Sequence, residues 1–110
     1  MKTSFIALAI GLSCALVAPA HAAASFTITD LGTLGGSASW SYGINNSGQI
    51  AGSARITAGT QHAALWTGGT PADLGSGSAI SQANDLNNNG VAVGYSAARA
   101  TVWSGGIIIR

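Results

Sequence analysis

Charge is nearly absent from this chain: only 6% of its 110 residues are charged, four of them basic and three acidic. From residue 23 onward there is no lysine, glutamate, cysteine or methionine, and the one histidine is His62. Each absence excludes something. Nucleic-acid binding needs a field of basic side chains that displaces counterions, and Arg55, Arg99 and Arg110 are too few and too scattered to form one. Without cysteine there is no disulfide framework and no thiol chemistry, even in an oxidising compartment. Acid–base catalysis near neutral pH, including any Ser-His-Asp arrangement, has to pass through His62. Metal binding by that histidine would need further ligands from Asp30, Asp73 and Asp85, which are spread along the chain. The sequence therefore predicts no catalytic residue, no metal and no cofactor.

What is present begins with a leader. MKTSFIALAIGLSCALVAPAHA has one positive charge at Lys2, an apolar run from Phe5 to Val17, and small residues at Ala20 and Ala22. This is the layout of a secretory signal peptide over residues 1–22, cleaved between Ala22 and Ala23. The apolar run is shorter than the roughly 20 residues a membrane-spanning helix needs. A lipoprotein signal ending at Cys14 would require a large aliphatic three positions earlier, where Gly11 stands. The expectation is a bacterial secreted or periplasmic protein with no membrane association after cleavage.

Sixteen glycines, only one of them before Ala23, are about twice the usual share of roughly 7%. They recur at fixed places among valine, isoleucine, leucine and tryptophan, and no segment after the leader has a helical period. Turn glycines alternating with β-branched and aromatic residues predict an all-β chain. The chain also repeats itself. TDLGTLGG from Thr29 returns as ADLGSGS from Ala72, INNSGQIAGSA from Ile44 as LNNNGVAVGYSA from Leu86, and HAALWTGG from His62 as RATVWSGG from Arg99. The separations are 43, 42 and 37 residues, so the second copy is five residues shorter between Gly94 and Arg99. Length changes belong in loops, which predicts an exposed turn within ARITAGTQ.

Within each copy the pattern predicts short antiparallel strands. SWSYGI puts Trp40, Tyr42 and Ile44 on one face at period two. NNSG is a turn closed by Gly48. QIAGSA is the returning strand, with Gly52 allowing a neighbour to come close. AALWTGG is a further strand, and the stretch up to Leu74 leads onward. About four strands in about 42 residues is the size of a β-propeller blade. The predicted organisation is two units, 26–69 and 70–106, with the start of a third at 107–110.

The pattern DLG, then IN-x-x-G-Q-I-x-G, then HA-x-LW-x-x-G, resembles the extracellular repeat proteins of the HAF family. The resemblance covers nearly all of the chain after the leader. The His-Ala-Phe element stands here as His62-Ala63-Ala64, and as Arg99-Ala100-Thr101 in the second copy. The resemblance implies bacterial export and a repeated, propeller-like β architecture, and it implies no catalytic residue.

The remaining motifs resolve into turns or core. DLNNNG from Asp85 matches the opening of an EF-hand loop, but its twelfth position is Ser96 rather than a bidentate glutamate. LGTLGGSA from Leu31 has the glycines of a phosphate-binding loop without the lysine or the following helix. Trp66 and Trp103 occupy equivalent positions and are expected in the core. Trp40 and Tyr42 have no aromatic counterparts, which makes them the candidate ligand-binding residues, for a carbohydrate or a protein. His62, replaced by Arg99 in the second copy, reads as a tolerant polar position at a strand entry. The reading this supports is a non-catalytic secreted scaffold or binding module, consistent with a truncated gene product, that self-associates through exposed sheet edges. The alternative is a fragment of a secreted propeller-type enzyme whose active site lies in other repeats.

Overall fold

A computed structural model describes residues 24–109; the expected signal peptide, with Lys2 and Cys14, lies outside them, as does Arg110. The described residues form eight strands and no helix. In chain order these are β1 (Gly35–Ile44), β2 (Ile50–Ile56), β3 (Gln61–Thr67), β4 (Thr70–Asp73), β5 (Ser81–Leu86), β6 (Ala92–Ser96), β7 (Arg99–Ser104) and β8 (Ile107–Ile109). They build two four-stranded antiparallel sheets, β1-β2-β3-β4 and β5-β6-β7-β8, in which every strand pairs with the next along the chain. Hydrogen bonding thus joins Thr70–Asp73 to the strands before it and makes Ile107–Ile109 the fourth strand of the second sheet.

Turn chemistry sets these hairpins. Between β1 and β2 the Asn45 side-chain oxygen accepts from the backbone N–H groups of Ser47 and Gln49, at 3.0 and 2.9 Å. Between β5 and β6 Asn87 accepts in the same way from Asn89 and Val91, at 2.9 Å each. An asparagine that folds back on its own loop favours such a turn, and Gly48 and Gly90 supply the left-handed backbone angles that close it (φ +78° and +80°). The five-residue difference falls where the sequence placed it. The first sheet turns through the exposed Thr57–Gly59, whereas the second joins β6 to β7 through Ala97 and Ala98 alone. Both alanines have positive φ, 51° and 65°, as a two-residue hairpin loop requires.

One sequence expectation changes. Trp40, Tyr42 and Ile44 do not line a single regular face, because the β1–β2 register shifts between Ser41 and Gly43. Tyr42 is the extra residue of a bulge, which resets the alternation. Trp40 then shares a side with Ser53 and Ala51, while Ser39, Ser41 and Ile44 share the opposite side with Ala54, Gly52 and Ile50. The second sheet shifts at the equivalent place, between Ala83 and Asp85.

The two sheets stack face to face. Ala51 and Ala63 of the first meet Ala83, Leu86, Ala92 and Trp103 of the second, with Leu74 of the connecting segment in the same cluster. On the far side of the first sheet, Ala54, Ala64 and Trp66 are covered by Leu31 and Leu34. Trp66 and Trp103 are both core residues, as the sequence predicted. Removing either indole would cost about 3–5 kcal/mol, a large share of the roughly 5–15 kcal/mol that holds a domain together.

Gly52 and Gly94 set the spacing inside the sheets. A Cβ on Gly52 would run into the carbonyl oxygen of Trp40, and one on Gly94 into that of Gln82. Neither obstacle is a movable side chain. Gly52→Ala and Gly94→Ala should each destabilise the protein by about 3 kcal/mol or more. Gly48→Ala, which meets open space and is opposed only by its backbone angle, should cost about 1 kcal/mol. Urea unfolding of the three variants checks this order; a Gly52→Ala variant as stable as Gly48→Ala would contradict the close approach.

Candidate functional site

The polar cluster that holds the one histidine of the described residues lies on the first sheet, on the side of Ala54 and Ala64 that faces away from the second sheet. His62 enters on β3 and is 3% exposed. Its Nδ1 lies 2.9 and 3.0 Å from the two carboxylate oxygens of Asp73, at the end of β4. Its Nε2 lies 2.9 Å from the carbonyl oxygen of Gly77, in the segment that leads to the second sheet. Gly75 lies flat against the imidazole, where a Cβ would collide with the ring. Asp73 also accepts from the Gly75 N–H at 2.8 Å, so one carboxylate holds both the ring and the DLG turn. Asp30 makes the matching turn bond to the Gly32 N–H, at 2.9 Å, with no histidine beside it.

This arrangement clamps structure together. Both ring nitrogens face acceptors, so a neutral imidazole donates to one of them and only the doubly protonated ring donates to both. The ring nitrogens face Asp73 and the Gly77 carbonyl, and neither faces a hydroxyl. The nearby Ser81 hydroxyl accepts from the Ala63 N–H at 2.7 Å and is itself buried. A nucleophile–base pair needs a hydroxyl within hydrogen-bond reach of a ring nitrogen. The sequence read His62 as a tolerant polar position; the structure buries it. The signal that could have found this is the DLG carboxylate eleven residues downstream.

Further bonds tie sheet to sheet. The Trp103 Nε1–H donates to the Leu74 carbonyl at 2.9 Å. Gln61 Nε2 donates to Gln82 Oε1 at 3.0 Å. The two asparagine hairpins also join: Asn45 Nδ2 donates to the Asn87 carbonyl at 3.1 Å, and the Asn46 N–H to Asn88 Oδ1 at 2.8 Å. Beside them a cleft of about 300 Å³ opens between the sheets, lined by the apolar Leu65, Leu74 and Trp103 and the polar Gln49 and Asn89.

The other candidates separate. Asp85 accepts from the Leu86 N–H at 2.8 Å and lies against Gly43. Among the described residues no three or more histidine, cysteine or acidic side chains come together. Of the glycines after Leu31, Gly32 stands before β1, and Gly35 and Gly36 open it, with the Gly35 N–H donating to Thr33 Oγ1 at 3.1 Å. Trp40 and Tyr42 are 39% and 50% exposed but do not share a pocket. Tyr42 borders a shallow depression with Ile44 and Ile50, and Trp40 borders another with Asp30 and Leu31. The Arg55 guanidinium lies 5.8 Å from the centre of the Trp40 ring, within cation–π range.

Comparison with protein-family models, curated proteins and solved structures finds no match to this chain.

If His62 and Asp73 act as a clamp, their loss should appear in stability. His62→Ala should cost about 3 kcal/mol, since it leaves a cavity and strips the carboxylate of its partner. Asp73→Asn should cost about 1 kcal/mol, because Asp73 is half open to water. The double mutant should cost less than the sum by at least about 0.5 kcal/mol. Additive losses in a denaturant-unfolding cycle would show that the two side chains act separately.

Proposed function

We propose that this chain is an exported, non-catalytic β-repeat protein that works as a scaffold or binding module, its two sheets acting as propeller-like blades. The observation that supports this most directly is how its side chains are used. The one histidine–aspartate pair among the described residues is spent on joining strands, with both ring nitrogens occupied. Of the large apolar and aromatic side chains that remain exposed, Ile44 and Val93 lie on the outward sides of the sheets, and Trp40 and Tyr42 stand on edge strand β1. Surfaces of that kind serve contact. The signal-like leader and the resemblance to HAF-type extracellular repeats support export. The equal strand order and matching bulges of the two sheets support the repeat reading.

Trp40 is the residue we assign to ligand contact. It sits on an edge strand, half exposed, with Arg55 over its ring, an arrangement suited to a sugar ring or an aromatic side chain. Retention of the protein on insoluble chitin, cellulose or peptidoglycan should fall about tenfold in Trp40→Ala and remain unchanged in His62→Gln. The opposite pattern, turnover of a chromogenic ester, glycoside or peptide that His62→Gln abolishes, would overturn the non-catalytic reading.

A further inference from the structure

Each of the two sheet faces left open is the sequence counterpart of a face buried between the sheets. On the outer side of the first sheet, Ser39, Ser41 and Ile44 stand 42 positions before Ser81, Ala83 and Leu86 of β5. Ser81 and Ala83 are fully buried against the first sheet, whereas Ser39 and Ser41 are exposed. Leu86 is 8% exposed and Ile44 is 67% exposed. The outer side of the second sheet repeats the relation. Val93 stands 42 positions after Ala51, and Ala100 stands 37 after Ala63. Ala51 and Ala63 are completely buried; Val93 is 44% exposed and Ala100 is open.

The polar groups that fasten the internal junction are present again at these ends. Inside the chain the Ala63 N–H donates to the Ser81 hydroxyl; at the ends stand Ala100 and a second serine, Ser39. The hairpins join through Asn45 and Asn46 on one side and Asn87 and Asn88 on the other, so each end carries the asparagine pair that the other would engage. A buried orphan points the same way. Trp103 gives its Nε1–H to the Leu74 carbonyl, while the equivalent Trp66 Nε1 is buried with no partner among the described residues, although Leu31 stands 43 positions before Leu74. The Leu31 segment packs on the Trp66 cluster at the outer face but gives its Nε1–H no acceptor.

We propose that the outer face of the first sheet docks on the outer face of the second sheet of another copy of this chain, head to tail, repeating the internal junction. This rests on the scaffold reading above and names the partner of its faces. The contact joins two different surfaces, so it is heterologous and either closes into a ring or extends as an array. Ile44 takes the place of Leu86, and the Ser39 hydroxyl meets the Ala100 N–H.

The test uses the full chain in sedimentation velocity over a hundredfold range of concentration. Wild type should form oligomers as concentration rises. Ile44→Lys blocks one face and Val93→Lys the other; both positions are already exposed, so the variants should melt as the wild-type monomer does. Each variant alone should stay monomeric, and a 1:1 mixture should form a dimer and nothing larger, since one face remains open on each partner. A monomeric wild type, a mixture that stays monomeric, or either lysine variant assembling alone would overturn the proposal. None of these results produces turnover, so failure here is distinct from failure of the non-catalytic reading.

Discussion

The thinness of the layer between the two sheets governs the rest of the molecule. An antiparallel sheet can leave one face to water but must cover the other, and stacked sheets ordinarily lie about 10 Å apart. Here the layer is made mostly of methyl groups, from Ala51, Ala63, Ala83 and Ala92, with Leu86 and Trp103 filling the remainder. Small side chains bring one sheet within reach of the other sheet's polar groups, and that reach gives the junction its specificity. Only across a short gap can a serine hydroxyl accept from the Ala63 amide, or one hairpin's asparagine bond the next hairpin's backbone. Bulkier residues at these alanines would bury more apolar area while parting the hydrogen bonds that fix the register.

The same closeness explains how the few charged and titratable groups are used. A buried imidazole is costly unless it is hydrogen-bonded, and His62 lies within hydrogen-bond distance of Asp73 and the Gly77 carbonyl. The clamp fastens the end of β4 and the start of the connecting segment to β3, which aims β5 at the first sheet. On the reading proposed above, contact is left to edge strand β1 with Trp40 and to the two open faces.

Much of this was legible in the sequence. Turn glycines and alternating apolar residues pointed to an all-β chain, and repeat spacings of 43, 42 and 37 placed the length change in the loop that the structure shortens. The paired tryptophans read correctly as core because they recur at the same place in each copy. Three features were hidden. The bulge at Tyr42 resets which side chains share a face, and simple alternation contains no signal for a bulge made by an ordinary residue. Ala97 and Ala98 adopt left-handed angles without glycine or asparagine, since the strands on either side dictate the loop and override local preference. His62 looked tolerant because Arg99 replaces it, but Arg99 is exposed where His62 is buried beneath the connecting segment, so identity of position did not mean identity of environment. The asparagine pairs could have been recognised, because two of them at a spacing of 42 is a ladder written out in advance.

The central claim is that the two sheets hold each other as one cooperative unit, and native-state hydrogen exchange at the Ala63 amide tests it most directly. That amide is bonded across the junction to the Ser81 hydroxyl, so it opens only when the sheets part. The account predicts that Ala63 and the ladder amides of β6 and β7 exchange through one shared opening, with the same free energy and the same denaturant dependence. An Ala63 amide that exchanges at loop-like rates while β6 and β7 stay protected, or two sheets that open along separate isotherms, would contradict it.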